Sequence, residues 1–163
     1  MEYSVSTLKT NTIQAATGSK VSIPGHVIQS VYATQASQES TTSTSFVNTS
    51  LAATITPTSA SNKILVLANV NMYGDTNDVH SVCTVYRGTI SGTNIGNGDW
   101  GIGGSYAGAS PVKNNVSCAI LDSPSTTGAQ TYTVAIRRNG GSGTMYMNVN
   151  GERSTIVLQE IAQ

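Results

Sequence analysis

The sequence predicts an all-β fold, an antiparallel β-sandwich of the jelly-roll type with a short β-hairpin at its N-terminus. Ser and Thr make up 21 and 22 of the 163 residues, while charged residues are only 10%. A chain rich in Thr and Gly and poor in Lys and Glu favours strands and turns over helices. Helical periodicity is nearly absent, and apolar residues recur in short runs separated by turns. This pattern favours a sandwich or jelly roll over a propeller or a βαβ fold.

The chain opens with a predicted hairpin. Residues 10–15 and 21–23 read as two short strands around the turn 17–20, and Pro24-Gly25 ends the second strand. A two-stranded hairpin is at best marginally stable alone in water. The segment therefore raises the question of what it packs against.

Eight further strands are predicted, with turns at regular intervals. The clearest is 63–73, where apolar residues from Ile64 to Met72 share one face at period two, as in a half-buried antiparallel strand. Residues 37–46 are predicted to be a polar loop and residues 88–114 an irregular, glycine-rich zone. The predicted strands are 27–34, 46–56, 63–73, 79–87, 116–121, 130–138, 144–149 and 154–161.

Short turns separate the last three predicted strands. "NGGSG" at 139–143 allows the positive φ angles of a tight turn, and Asn150-Gly151 is a strong hairpin signal. Turns this short exclude crossover connections, so the last strands are predicted to form an antiparallel meander.

Charge and hydropathy exclude several classes of partner. Eight basic and eight acidic residues give a net charge of zero, and no basic stripe is present to neutralise nucleic-acid phosphates. No apolar run approaches the length of a membrane span. The start, Met1-Glu2-Tyr3-Ser4, lacks the features of a signal peptide, so we expect assembly in a cytoplasm.

No catalytic constellation or cofactor motif stands out, and we expect a protein without enzymatic activity. The histidines are His26 and His80, and His80 begins a strand near Asp75 and Asp78. One chain offers too few ligands there for a metal. His80 is then an exposed polar residue, although a symmetric oligomer could place three copies around an axis.

Cys83 and Cys118 both lie in apolar strand-like runs. They fit two buried free thiols acting as small hydrophobic residues, and a cross-strand disulfide is the alternative.

The irregular zone contains the candidate contact residues Asn97, Asp99, Trp100 and Tyr106. Large amphipathic rings in a loop of low charge suit stacking on a sugar or contact with a protein. Alternatively, Trp100 folds back and caps the sandwich.

The running sequence resembles small distal domains of tailed-phage fibre proteins, most closely those of cyanophages and other marine or freshwater phages. The resemblance rests on "LKTNTIQAATGSKVSIPG", "SFVNTSLAATITPTSASNKILVLANV" and the ending "RSTIVLQEIAQ". It implies a jelly-roll head at 26–163, broadly like C1q or tumour-necrosis-factor domains, that forms a homotrimer. It also implies an anchor at 1–25 that joins neighbouring subunits and docks on another virion protein. The docking and oligomerisation residues are then Leu8, Thr10, Ile13, Val21 and Ile23.

The resemblance implies a virion structural protein, and most directly a fibre or appendage tip. Fibre proteins often carry a long shaft ahead of such a domain, whereas this chain has Met just before the motif, so we expect a separate small subunit that contacts a host surface glycan or protein. A capsid decoration protein gripping the head shell through the same anchor is an alternative. A free carbohydrate-binding module is another, and the missing acid–base pair argues against a hydrolase.

Overall fold

The computed structural model describes residues 23–76, 78–108 and 111–163. Leu8, Thr10, Ile13 and Val21 lie outside these residues, as does most of the predicted hairpin. Within the described ranges, no helix is long and apolar enough to cross a membrane. The strands are β1 (Val27–Gln35), β2 (Glu39–Thr41), β3 (Val47–Ile55), β4 (Lys63–Gly74), β5 (Val79–Arg87), β6 (Thr93–Asn94), β7 (Gly103–Ala107), β8 (Val112–Asp122), β9 (Gln130–Arg138), β10 (Met145–Met147) and β11 (Ser154–Ile161).

These strands form two antiparallel sheets that pack as a sandwich, which confirms the predicted fold class. In sheet A, β1, β11 and β4 lie side by side, and β8 pairs with the other edge of β4. In sheet B, β3, β9 and β5 lie side by side, and β6 and β7 share the far edge of β5.

In several places, two short strands lie end to end along one edge of a longer strand. β11 and β10 pair in succession with the same edge of β4, and β1 and β2 follow them on the outside. β6 and β7 likewise occupy one edge of β5. Joining these pieces leaves eight strand positions, which in chain order are arranged 1-8-3-6 in sheet A and 2-7-4-5 in sheet B. This is the jelly-roll topology of two interleaved Greek keys.

The core lies between the sheets and follows the alternation of the strands. On β4, Ile64, Val66, Ala68, Val70 and Met72 are all buried, as the period-two pattern predicts. Apolar side chains of sheet B pack against them from β5 and β9. Burial of each large aliphatic side chain stabilises the fold by about 1.5–3 kcal/mol, so this face holds the two sheets together.

The predicted meander of the last strands is wrong. β9 pairs with β3 and β5 in sheet B, whereas β10 and β11 pair with β4 in sheet A. The 139–143 turn therefore passes from one sheet to the other. Asn148 lies just before the 3-10 turn Val149–Gly151 and Asn150 lies within it, and both have left-handed backbone conformations, with φ of 59° and 60°. After this turn the chain continues in the same direction, so β11 pairs with β4 beyond β10 and no hairpin forms.

Two regions predicted without strands contain them. The polar segment 37–46 includes β2, and the glycine-rich zone includes β6, β7 and the start of β8. β2 and β8 pair with strands far away in sequence, and β6 has only two residues, paired with the end of the preceding strand β5, so short-range alternation was not sufficient to detect these elements.

The sandwich has two distinct ends. At the entry end, the Gly25 N–H donates to the Ala162 carbonyl and the Ala162 N–H to the His26 carbonyl, both at 2.9 Å. Ile23 is 52% exposed there, and residues 1–22 are joined to it. The far end is where β4 ends at Gly74 and β5 begins at Val79, about 40 Å away along twelve residues of strand.

A buried carboxylate lies at the entry end. Glu160 of β11 is fully buried and accepts hydrogen bonds from Asn62 Nδ2 at 2.6 Å and Gln29 Nε2 at 2.6 Å. The amide and hydroxyl of Thr58 donate to it at 2.7 and 2.8 Å. Burial alone raises the pKa of Glu160, but the donors more than offset this and lower it from 4.5 to about 2. Glu160 thus ties β1 and the loop before β4 to β11.

Candidate functional site

The candidate site begins with a loop that leaves the edge of sheet B between β6 and β7. On one side of the loop the Ile95 N–H donates to the Val85 carbonyl at 3.0 Å, and on the other the Ile102 N–H donates to the Cys83 carbonyl at 2.9 Å. Both isoleucines pack against the core. β6 and β7 therefore lie along the same edge of β5, and residues 96–101 project from that edge as a loop.

Asn97 organises the tip of this loop. Its backbone exchanges two hydrogen bonds of 2.9 Å with Gly101. Its side-chain Oδ1 accepts from the amides of Asp99 at 2.8 Å and Trp100 at 3.0 Å. This is the Asx arrangement by which an asparagine side chain closes a turn. Trp100 is thereby held at the tip.

Arg137 of β9 fastens the loop to the sheet. Its Nη2 donates to the carbonyl of Asp99, and its Nη1 donates to the carbonyl of Thr44 at 3.3 Å. The guanidinium lies 4.8 Å from the centre of the Phe46 ring, a cation–π contact. Arg137, packed on Phe46, therefore supports the loop from the outer face of sheet B.

Three rings meet beside this support. His80 on β5 and Tyr106 on β7 are directly opposite in the strand register, with ring centroids 4.3 Å apart. The Trp100 ring lies 6.1 Å from that of His80. The Tyr106 hydroxyl donates to Asp78 Oδ1 at 2.7 Å, which fixes the phenol ring. Trp100 and Tyr106 remain 56% and 55% exposed.

The rings border a cleft of about 150 Å³ at the far end, which we call the sheet B cleft. Gly104 lies opposite Val82 in the register, and the missing side chain leaves the space open. The lining residues carry no carboxylate, lysine or arginine; they are His80, Ser81, Val82, Trp100, Gly104, Ser105 and Tyr106.

Of the candidate contact residues, the structure brings Trp100 and Tyr106 together around His80. The alternative that Trp100 caps the sandwich is wrong, because its ring is more than half exposed on the outer face of sheet B. Asn97 shapes the loop instead of lining the cleft. Asp99 is exposed, with its carbonyl held by Arg137.

Sequence reasoning missed His80 and Arg137 as members of this site. The sequence predicts only an exposed polar residue at a strand start for His80, because β7, which brings Tyr106 opposite to it, lies in the zone predicted to be irregular. The run "GGSYA" has no apolar–polar alternation, so the sequence carries no local signal for β7, whose alternating burial is visible only in the structure. Across the described ranges, no group of three or more His, Cys, Asp or Glu side chains is placed to hold a metal ion.

The lining of the sheet B cleft combines aromatic faces with hydrogen-bonding groups and has no carboxylate, lysine or arginine. Exposed amphipathic rings stack on flat apolar faces, and the nearby hydroxyl and backbone groups offer hydrogen bonds. The carboxylate of Asp78 is engaged by the Tyr106 hydroxyl and does not line the cleft. A hydroxyl-rich sugar ring has both of the required surfaces.

No protein-family model matches the chain, and no curated protein matches it. Among solved structures it is similar to the infectious bursal disease virus VP2 subviral particle, with 14% identity, a TM-score of 0.44 and 84% of this chain covered. It is also similar to infectious bursal disease virus strain Gx, with 14% identity, a TM-score of 0.41 and 84% covered. This chain spans 38% and 37% of those chains. Likeness at this level carries no argument about function.

Proposed function

We propose that this chain is a non-enzymatic virion structural protein, the head of a phage fibre or appendage, and that its sheet B cleft contacts a neutral sugar on the host surface. The observation that carries the proposal is the exposed ring cluster of His80, Trp100 and Tyr106 at the end of the sandwich opposite the chain entry.

The separation of the two ends supports this arrangement. An appendage subunit has to be anchored on one side and present its binding surface on the other. Residues 1–22 are joined to Ile23, close to Ala162 after β11, while His80 lies near the start of β5 at the far end. Anchoring through the N-terminal segment therefore leaves the sheet B cleft accessible to a ligand.

Self-assembly into a homotrimer is part of the proposal, and the outer face of sheet A supports it. Tyr32 is 76% exposed and lies in one cross-strand row with Val157, Leu67 and Ala119. The next row ends in Leu121, which is 52% exposed. These rows contain no charged residue, so two copies can bring them together without separating or repelling charges.

The sugar-binding half of the proposal is tested with the intrinsic fluorescence of Trp100, the one tryptophan in the chain. Polysaccharide from the host surface is titrated into the protein, and a saturable change in emission is expected. Trp100→Ala should weaken binding about tenfold, measured by calorimetry, since a stacked ring contributes about 1 kcal/mol or more. Ile90→Ala is the matched control, because Ile90 is exposed but lies outside the cleft. Equal affinity of all three proteins would contradict the proposed site.

The appendage half is tested by locating labelled copies on purified particles. Label at fibre or tail tips is expected. Label distributed evenly over the head shell contradicts it and favours the decoration alternative.

A further inference from the structure

We infer that a second cleft, on the outer face of sheet A, binds an organic cation such as a quaternary or primary ammonium group. This sheet A cleft has a volume of about 220 Å³ and is separate from the sheet B cleft. It is lined by Gln38, Tyr73, Asp75, Tyr146 and Val149. This space is many times what a single water requires, so a group of several heavy atoms can enter it.

Two tyrosines form its aromatic walls. Tyr73 on β4 and Tyr146 on β10 are directly opposite in the register, with ring centroids 6.0 Å apart and planes tilted by 40°. Two adjacent ring faces attract a cation through their quadrupoles, and the attraction grows when the cation loses water. The rings belong to paired strands, so their spacing is held by the sheet.

Asp75 supplies the charge. Its Oδ1 accepts a hydrogen bond from the Thr144 amide at 2.8 Å, and its Oδ2 accepts a long one from the Tyr146 hydroxyl at 3.4 Å. No arginine or lysine is among the residues that line the cleft. Lys113 lies opposite Tyr73 in the register but is paired with Glu152 at 3.1 Å. The carboxylate thus faces the cleft without a cationic partner among the described residues.

The two clefts therefore differ in the ligand they suit. In the sheet B cleft the nearby carboxylate of Asp78 is held by the Tyr106 hydroxyl at 2.7 Å and does not line the space. In the sheet A cleft the Asp75 residue is part of the lining. A carboxylate that lines the cleft beside two aromatic rings, with no arginine or lysine among the lining residues, favours a positive ligand over a neutral sugar.

The inference is tested by NMR titration of the full chain with choline and with its uncharged isostere, 3,3-dimethyl-1-butanol. Choline should shift the ring resonances of Tyr73 and Tyr146 saturably, and the isostere should bind at least tenfold more weakly. N-acetyl-lysine methylamide, titrated in parallel, identifies whether a primary ammonium is accepted as well as the quaternary one. Equal binding of choline and the isostere would overturn the inference, as would choline shifts confined to the rings of the sheet B cleft.

Variants separate the charge from the shape of the cleft. Asp75→Asn keeps the acceptor for the Thr144 amide and removes the charge, so it should lower choline affinity about tenfold while the melting temperature is maintained. Tyr146→Leu should also weaken choline binding. Tyr106→Leu, in the sheet B cleft, is the control and should leave choline affinity unchanged. If Asp75→Asn binds choline as tightly as the native protein, the inference is wrong.

Discussion

His80 and Tyr106 face each other across β5 and β7 with ring centroids 4.3 Å apart and ring planes at 57°. The Tyr106 hydroxyl also donates to Asp78, the residue that turns the chain from β4 into β5 with a φ of 63°. One strand pair and one turn therefore hold the exposed phenol in place before any ligand arrives. Such preorganisation lowers the entropy cost of binding.

The Tyr106–Asp78 contact predicts a titration behaviour. The hydrogen bond to Asp78, and then the negative charge of that carboxylate, raise the pKa of Tyr106 above its ordinary value. The phenol should therefore lose its proton at higher pH than a free tyrosine, as measured from its 13Cζ shift. Asp78→Asn should bring the pKa of Tyr106 down. Asn tolerates the positive φ at this position, so the turn is maintained. A Tyr106 titration that is the same in Asp78→Asn would show that the contact is absent in solution.

Gly101→Ala should disrupt the loop formed by residues 96–101. Gly101 has a φ of +59°, and an added Cβ would lie 2.0 Å from the Cys83 carbonyl oxygen. We expect a loss of more than about 1 kcal/mol in unfolding free energy and a changed Trp100 emission. Gly98→Ala is the matched control in the same loop, because its Cβ would meet nothing within 4 Å. Equal melting temperatures for the two variants would argue against the described loop geometry.

Glu160 predicts a loss of stability in acid. Its folded-state pKa of about 2 lies below the ordinary 4.5, so its contribution is complete above pH 4.5 and is lost as the pH falls from 4.5 to 2. The difference corresponds to about 3 kcal/mol. Urea unfolding measured at a series of pH values should show this slope.

Glu160→Gln should flatten that acid slope and lower stability at neutral pH, because the Asn62 and Gln29 amides then meet another amide instead of a carboxylate. Glu152→Gln is the control. Its exposed pair with Lys113 contributes less than about 1 kcal/mol, so the slope should stay. An unchanged slope in Glu160→Gln would contradict the assignment.

The cysteines should differ in reactivity. Both are free thiols, Cys83 buried and Cys118 partly buried. Burial raises the pKa of the Cys83 thiol strongly, and it raises that of Cys118 against a lowering hydrogen bond from the backbone of Ala68. A disulfide reagent should label Cys118 slowly in the native protein and both thiols in denaturant. Cys118→Ser should abolish the native-state labelling. Equal native rates for the two thiols, or no thiol in non-reducing denaturant, would contradict this.

Local patterns predicted the strands well where one face is buried. The period-two burial of β4, and the bounds of β5, β9 and β11, follow from alternation and turn residues that are close together in the chain. The composition likewise pointed to an all-β chain. Leu8, Thr10, Ile13, Val21 and Ile23 remain predicted docking residues; Ile23 is exposed at the entry end, and the other four lie outside the described residues.

Residue type alone identified Trp100 and Tyr106 as candidates, because large rings in a polar loop are recognisable without a fold. Their partners were not recognisable. His80 joins them only through the register of β5 with β7, and Tyr73 meets Tyr146, 73 residues later in the chain, only because β10 pairs with β4. The pairing of β10 and β11 with β4 also explains why the predicted meander is wrong, because it places them in sheet A while β9 lies in sheet B. Strand formation depends on neighbours in sequence, whereas strand partners depend on which edges remain free once the core has packed, and that is a property of the whole folded chain.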